Sequence, residues 1–169
     1  MTMTDNEPAI RRVTEEDVEA LIDIRLEALQ NHPVAFSADY ENDLQRPLSK
    51  WLERIAESPT FIAWDGEAAA GMTGIFSGRS SKTSHQGTIW GVYVRPVYRN
   101  RGLGEKLVRR CLVWARENEK KIAYIAAADN NTAAIRCYER CGFGVFGLQP
   151  LAICVDGRYY DELLMAQAL

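Results

Sequence analysis

Between Thr88 and Ala128 the chain changes its hydrophobic period twice, and this restricts the available folds more than any other feature. Thr88–Val94 is a β-rich run closed by Arg95-Pro96. From Gly102 to about Asn118, Leu103, Leu107, Val108, Cys111, Leu112 and Ala115 recur on one face of a helix. Ile122–Ala128 then reads as a buried strand. Strand, helix and strand in so short a stretch need a sheet covered by helices, so a mixed α/β fold is expected.

The flanking segments extend that pattern. Ala9–Val13 is β-compatible, and Thr14 with Asp17 three residues on resembles a capping box that starts a helix to about Gln30. Asn31-His32-Pro33 stops it. Residues 34–46 have no clear period. A second helix follows Pro47, with Leu48, Trp51, Leu52 and Ile55 as its apolar stripe. Thr60–Trp64 and Ala68–Phe76 read as strands around an Asp65-Gly66 turn, and Ser77–Gln86 as a polar loop. Asn131–Arg140 is a short helix ended by Gly142, and Phe143–Val155 and Arg158–Ala166 are strands around Asp156-Gly157. The order is β-α-α-β-β-β-α-β-α-β-β in one domain over residues 1–169, with residues 1–8 a polar, disordered tail.

Composition removes several function classes. With 47% hydrophobic and 25% charged residues the chain is not of the disordered kind. A formal net charge of -3 argues against nucleic acid as a partner. No apolar run approaches the roughly 20 residues of a membrane span, and no export segment opens the chain. A soluble, cytoplasmic protein is therefore expected. Cys111, Cys137, Cys141 and Cys154 fall in apolar or helix-like stretches, and His32 and His85 are not near them. The cysteines read as small buried hydrophobes in a reducing compartment, and no metal is expected.

The segment from Val92 to Gly104 carries the chemistry. A strand feeds a loop holding Arg95, Arg99 and Arg101, and the loop feeds a helix flanked by Gly102 and Gly104. Free N–H groups and partial positive charge at a helix start suit an anion. The two glycines let a phosphate approach the main chain, and Arg99 and Arg101 add charge-assisted donors. The loop is not a Walker loop, since no Gly-Lys-Ser/Thr follows. It is not the dinucleotide fingerprint either, since Leu107 stands at the third glycine position.

Arg99-x-x-Gly102-x-Gly104 resembles the acetyl-CoA motif of the GNAT family of N-acetyltransferases, Gln/Arg-x-x-Gly-x-Gly/Ala. Asn131, Ala134, Tyr138, Gly142 and Phe143 match a second pattern of that family, Asn-x-x-Ala-x-x-x-Tyr-x-x-x-Gly-Phe. The resemblance spans essentially the whole chain and is strongest from Thr88 to Phe143. It implies a central mixed, mostly antiparallel sheet of six to seven strands flanked by four helices. It also implies acetyl transfer from acetyl-CoA to an amine.

By the same resemblance, Arg99, Asn100, Arg101, Gly102, Leu103 and Gly104 hold the pyrophosphate. Val92, Tyr93 and Val94 pair with the pantetheine arm as an added strand and offer a backbone N–H to the oxyanion. Val92 and Val94 also read as core. Asn131 either reaches the pantetheine or caps the following helix, with Asn130 an alternative cap. Tyr138 faces the thioester sulfur as a hydrogen-bond donor or proton donor, or else only packs on the sheet. Transfer is direct, without an acyl-cysteine.

Two parts of the chemistry stay open at this level. The Thr88–Val94 strand has no carboxylate to take the proton of the attacking amine, and Ala126 stands where relatives are often acidic. Glu27, Asp39, Glu41, His85 and Asp129 are candidates, as is an ordered water. Phe36, Tyr40, Trp51, Tyr159 and Tyr160 are candidates for framing the acceptor or for core and rim. A small-molecule amine is the expected acceptor, with a protein α-amine and a non-catalytic acyl-CoA-binding module as alternatives. A homodimer is expected on family precedent.

Overall fold

In the computed structural model, which describes residues 7–169, the first helix begins where Thr14 and Asp17 place it. The N–H of Thr14 donates to Oδ2 of Asp17 at 2.9 Å. Arg11 grips both oxygens of that carboxylate at 2.6 and 2.7 Å and, with the Thr14 bonds, holds its pKa down at about 2. After a 3-10 turn at Glu15–Asp17, α1 runs Val18–Asn31. Residues 1–6 of the tail expected over 1–8 lie outside the described residues.

The other elements follow in the expected order, with one addition. Strand β1 is Ala9–Arg12, β2 Thr60–Asp65, β3 Ala68–Ser77, β4 Gln86–Val94, β5 Ile122–Ala128, β6 Gly144–Val155 and β7 Arg158–Ala168. Helix α3 is Leu48–Glu57, α4 Leu103–Glu117 and α5 Thr132–Arg140. The addition is α2, Tyr40–Leu44, inside the aperiodic segment, so five helices are present among the described residues rather than four. Five residues are too few to show a period. A cap starts α2 instead: Oδ1 of Asp39 accepts from the N–H groups of Glu41 and Asn42 at 2.8 and 3.2 Å.

The seven strands form one sheet in the order β1-β2-β3-β4-β5-β7-β6. Only β4 and β5 are parallel. Phe61 and Ile62 are adjacent on β2, so they face opposite sides of the sheet, and both are fully buried. Phe61 joins a core with Val108, Cys111 and Leu112 of α4 and Tyr138 of α5. Ile62 joins another with Leu21 and Ile24 of α1 and Trp51 of α3. The helices thus cover both faces. Each large apolar side chain of the α4 stripe contributes about 1.5–3 kcal/mol by leaving water.

Candidate active site

The site is made by a defect in the sheet. Gly74 pairs with Trp90 and Met72 with Tyr93, so Gly91 and Val92 together stand opposite Thr73 alone. Gly91 takes the left-handed conformation this bulge needs, at φ 66°. Just before it β4 leaves β5: the pair is joined only at Gln86–Ile122, Gly87–Ala123 and Thr88–Tyr124. From Ile89 onward the β5 side of β4 has no strand partner, which leaves a row of backbone donors and acceptors open.

The loop after β4 turns tightly into α4. A 3-10 turn at Pro96–Tyr98 is followed by two left-handed residues, Asn100 at φ 62° and Gly102 at φ 73°, and Gly102 caps the helix. The first intrahelical bond runs from Lys106 N–H to Gly102 O at 3.1 Å, so the amides before it have no helical acceptor. A Cβ built on Gly104 would meet only Cys137 Sγ at 3.7 Å and Val94 Cγ2 at 3.8 Å, which are ordinary contacts. Protein packing therefore does not require a glycine there. Glu105, an acid in this first turn, is neutralised by Arg109 and Arg140 at 2.8 and 3.1 Å.

Splayed edge and helix start open into one cleft of about 400 Å³. Val92, Tyr93 and Val94 line it from β4, and Arg99, Asn100, Gly102, Leu103 and Gly104 from the loop and α4. Asn131 and Tyr138 close it from α5. Of the residues expected to hold the cofactor, Arg101 lies off the lining, exposed on the outside of the turn. Arg99 folds back along the cleft: its Nε donates to Val94 O at 2.8 Å and its Nη2 to His32 Nε2 at 2.9 Å. An Nε2 that accepts from arginine belongs to a neutral imidazole, and burial and Arg99 lower the pKa of His32 accordingly.

Asn131 caps α5, its Oδ1 accepting from Ala134 N–H at 3.2 Å, and lines the cleft as well. Tyr138 is 6% exposed, edge-on to Phe143 with ring centroids 6.5 Å apart. Burial pushes its phenol well above the ordinary range, and Cys137 and Cys141 add to the rise. The four cysteines are free, and they are not uniformly buried: Cys154 is exposed and Cys137 half-buried against the cleft. Burial moves Cys111 up to about 12, so that thiol stays protonated.

A second cleft, of about 800 Å³, adjoins the first. The two share Ala35, Phe36, Ile89, Trp90, Gly91 and Ala126, so they meet at the β4 bulge. Of the candidates for framing the acceptor, Phe36 lies at that junction. Trp51 is 1% exposed and belongs to the core under α1, Tyr160 lines a separate, more open pocket beside Asn131, and Tyr159 is on the surface.

The candidate bases are elsewhere. Glu27 is fully engaged, accepting from Tyr93 Oη at 2.8 Å and Arg95 Nε at 2.8 Å. Asp39 caps α2, and Glu41, His85 and Asp129 are exposed and line neither cleft. Three carboxylates do line the second cleft, Glu53 and Glu57 of α3 and Glu162 of β7, and the pKa of Glu162 is raised by burial. Glu162 was hidden in the alternation of a terminal strand. Arg25 of α1, which the helical spacing of that segment includes without marking it as functional, lines the same cleft.

Residues 19–143 match the family model of the acetyltransferase (GNAT) family. The chain belongs to that family. It is a GNAT-type N-acetyltransferase, and its sheet, with one parallel pair that splays beside a glycine-flanked helix start, is the family's fold. The L-amino acid N-acyltransferase MnaT of Escherichia coli strain K12 is 25% identical over 142 residues, 81% of this chain and 83% of that protein. The structure of yncA from Salmonella typhimurium, which holds its cofactor acetyl-CoA, superposes with a TM-score of 0.81 at 25% identity, covering 98% of this chain and 95% of that one. The ribosomal-protein-alanine N-acetyltransferase of Brucella melitensis superposes with a TM-score of 0.80 at 26% identity, over 95% and 99% of the two chains.

Proposed function

We propose that this GNAT enzyme transfers an acetyl group from acetyl-CoA directly to the amine of a small molecule. The observation that carries the reading is the junction at Gly91, where a cleft shaped for a phosphate-bearing strand mimic meets a second cleft that reaches solvent. The loop amides from Asn100 to Gly104 hold the pyrophosphate at the start of α4, and Arg99 and Arg101 add positive charge. The open edge of Val92–Val94 takes the pantetheine amides in place of the missing strand, and Asn131 borders the same arm. A main-chain N–H of that edge stabilises the charge growing on the carbonyl oxygen.

Tyr138 donates a hydrogen bond to the departing sulfur. Its raised pKa makes complete proton transfer to a thiolate, whose acid has a pKa of about 8.5, more unfavourable than for a free phenol. Holding both substrates at one junction supplies much of the acceleration.

A protein α-amine is the second reading, favoured by the activity in the name of the Brucella neighbour. Incubation with acetyl-CoA and a panel of amines, read by thiol release, separates the two. Release with small amines and none with peptides beginning with alanine is expected. Release with peptides alone would favour the second reading, and no amine-dependent release would overturn both.

No helix among the described residues is long and apolar enough to cross a membrane. Free thiols suit a reducing compartment, and we place the enzyme in the cytoplasm. It works as a homodimer. The edge strand β6 exposes Val145, Phe146, Leu148 and Leu151, each at least 51% accessible, beside an unpaired ladder edge. Gel filtration is expected to give twice the chain mass, and the double variant F146K/L148K to elute as a monomer. Wild-type elution at one chain's mass would remove the dimer.

A further inference from the structure

The guanidinium of Arg25 is only partly satisfied. Arg25 is 3% exposed, flanked by the rings of Phe36 and Trp90 at 5.3 and 5.4 Å. Its Nε donates to Asp43 Oδ2 at 3.3 Å, while Nη1 has no hydrogen-bond partner among the described residues. A buried charged donor left without an acceptor is costly. Nη1 lies over the bulge: a Cβ built on Gly91 would come within 3.3 Å of it. The unsatisfied donor therefore stands where the two clefts meet.

The surrounding charges lean the same way. Asp43 also receives Arg46 Nη2 at 2.6 Å, and Arg54 Nη1 approaches to 3.9 Å. Three guanidinium groups share this one carboxylate, which leaves the cluster short of negative charge. Burial and the neighbouring Arg25 pull Arg54 down to about 10, the direction expected where cations crowd. Glu53 and Glu57 also border the cleft, and Glu53 is already paired with Lys50 at 2.7 Å. From β7, Glu162 adds an acid to the same cleft.

We infer that the acceptor is an α-amino acid, its carboxylate held by Nη1 of Arg25 and its amine turned toward Glu162 and the Gly91–Val92 bulge. This rests on the transfer reading above. The carboxylate site stands over Gly91 and the attacked carbonyl lies at the adjoining edge, so the amine and carboxylate must be close together, as on one α-carbon. Glu162 takes one proton from the ammonium, and the freed lone pair forms the new N–C bond. The C–S bond breaks with its electron pair on sulfur, and the second nitrogen-bound proton ends on the thiol of CoA.

The test is a titration of the protein–CoA complex, which cannot turn over, followed by calorimetry and by intrinsic tryptophan fluorescence, with Trp90→Phe as the control that assigns the signal. The probes are L-methionine, L-leucine, L-phenylalanine and L-glutamate, each against its α-amide and its decarboxylated amine. At least one acid is expected to bind about 30-fold or more tighter than its amide. Arg25→Gln is expected to bring acid and amide within about threefold while leaving the KM for acetyl-CoA unchanged. Glu162→Gln is expected to keep the preference for the acid and lower kcat about 100-fold, within the usual range for a lost general base.

Equal binding of acid and amide to the wild type, or binding of none, overturns the proposal, and that comparison needs no variant to fold. Carboxylate-dependent binding without thiol release from acetyl-CoA would keep the subsite and sink the transfer reading instead.

Discussion

Gly104→Val is expected to raise the KM for acetyl-CoA about 100-fold, or about 2.7 kcal/mol of binding, while Tm moves by less than about 4 °C. The protein itself has room for the first atom of the new side chain, since the nearest neighbours lie at 3.7 and 3.8 Å. Helix propensity does not oppose the change, because Gly is the poorer helix former by a few tenths of a kcal/mol. What the branched side chain does fill is the space above the first turn of α4, where a phosphate must come close to the amides. Both KM and Tm are measured on the same preparation. A Tm that falls in proportion to affinity would mean that Gly104 serves packing and not the cofactor.

Tyr138→Phe is expected to lower kcat by about 10- to 100-fold, the loss of one well-placed donor to developing charge, with the KM for acetyl-CoA within about twofold of wild type. The ring stays, and with it the edge contact to Phe143 at 6.5 Å, so stability should hardly change. The raised pKa has a further consequence. Tyr138 remains protonated throughout the neutral and mildly alkaline range, so its donor is present there and is lost only at a pH above that of a free phenol. The wild-type kcat profile should therefore show no tyrosine limb below about pH 10. An unchanged kcat in Tyr138→Phe would leave this residue as core only.

Much of this was local and hence readable. The Thr14–Asp17 cap starts α1, Asn131 caps α5, and Asp156-Gly157 turns the last hairpin with both residues at positive φ, 49° and 75°. Gly102 caps α4 at φ 73°, a left-handed conformation that favours glycine. Each of these is settled by side chains acting on backbone a few residues away, and periodicity supplies the rest of the element order. The short α2 escaped because one turn and a cap leave no period to read.

Which carboxylates are free to face a cleft was not readable, for a different reason. Glu27 looked available on α1, yet Tyr93 and Arg95, 66 and 68 residues on, occupy both its oxygens. Glu162 looked like one more polar residue of a strand, yet the departure of β4 from β5 leaves it facing a cleft.

Apart from the short α2, the sequence by itself determined the elements, their caps and turns, and the glycine-flanked loop at the head of α4, since all of these depend on interactions within one or two turns of chain. Only the tertiary structure decided that β4 bulges at Gly91, that its edge opens from Ile89, and that Tyr138 lines one of the two clefts meeting there while Arg25 and Glu162 line the other. Burial and pairing are properties of the assembled sheet, and no single segment contains them.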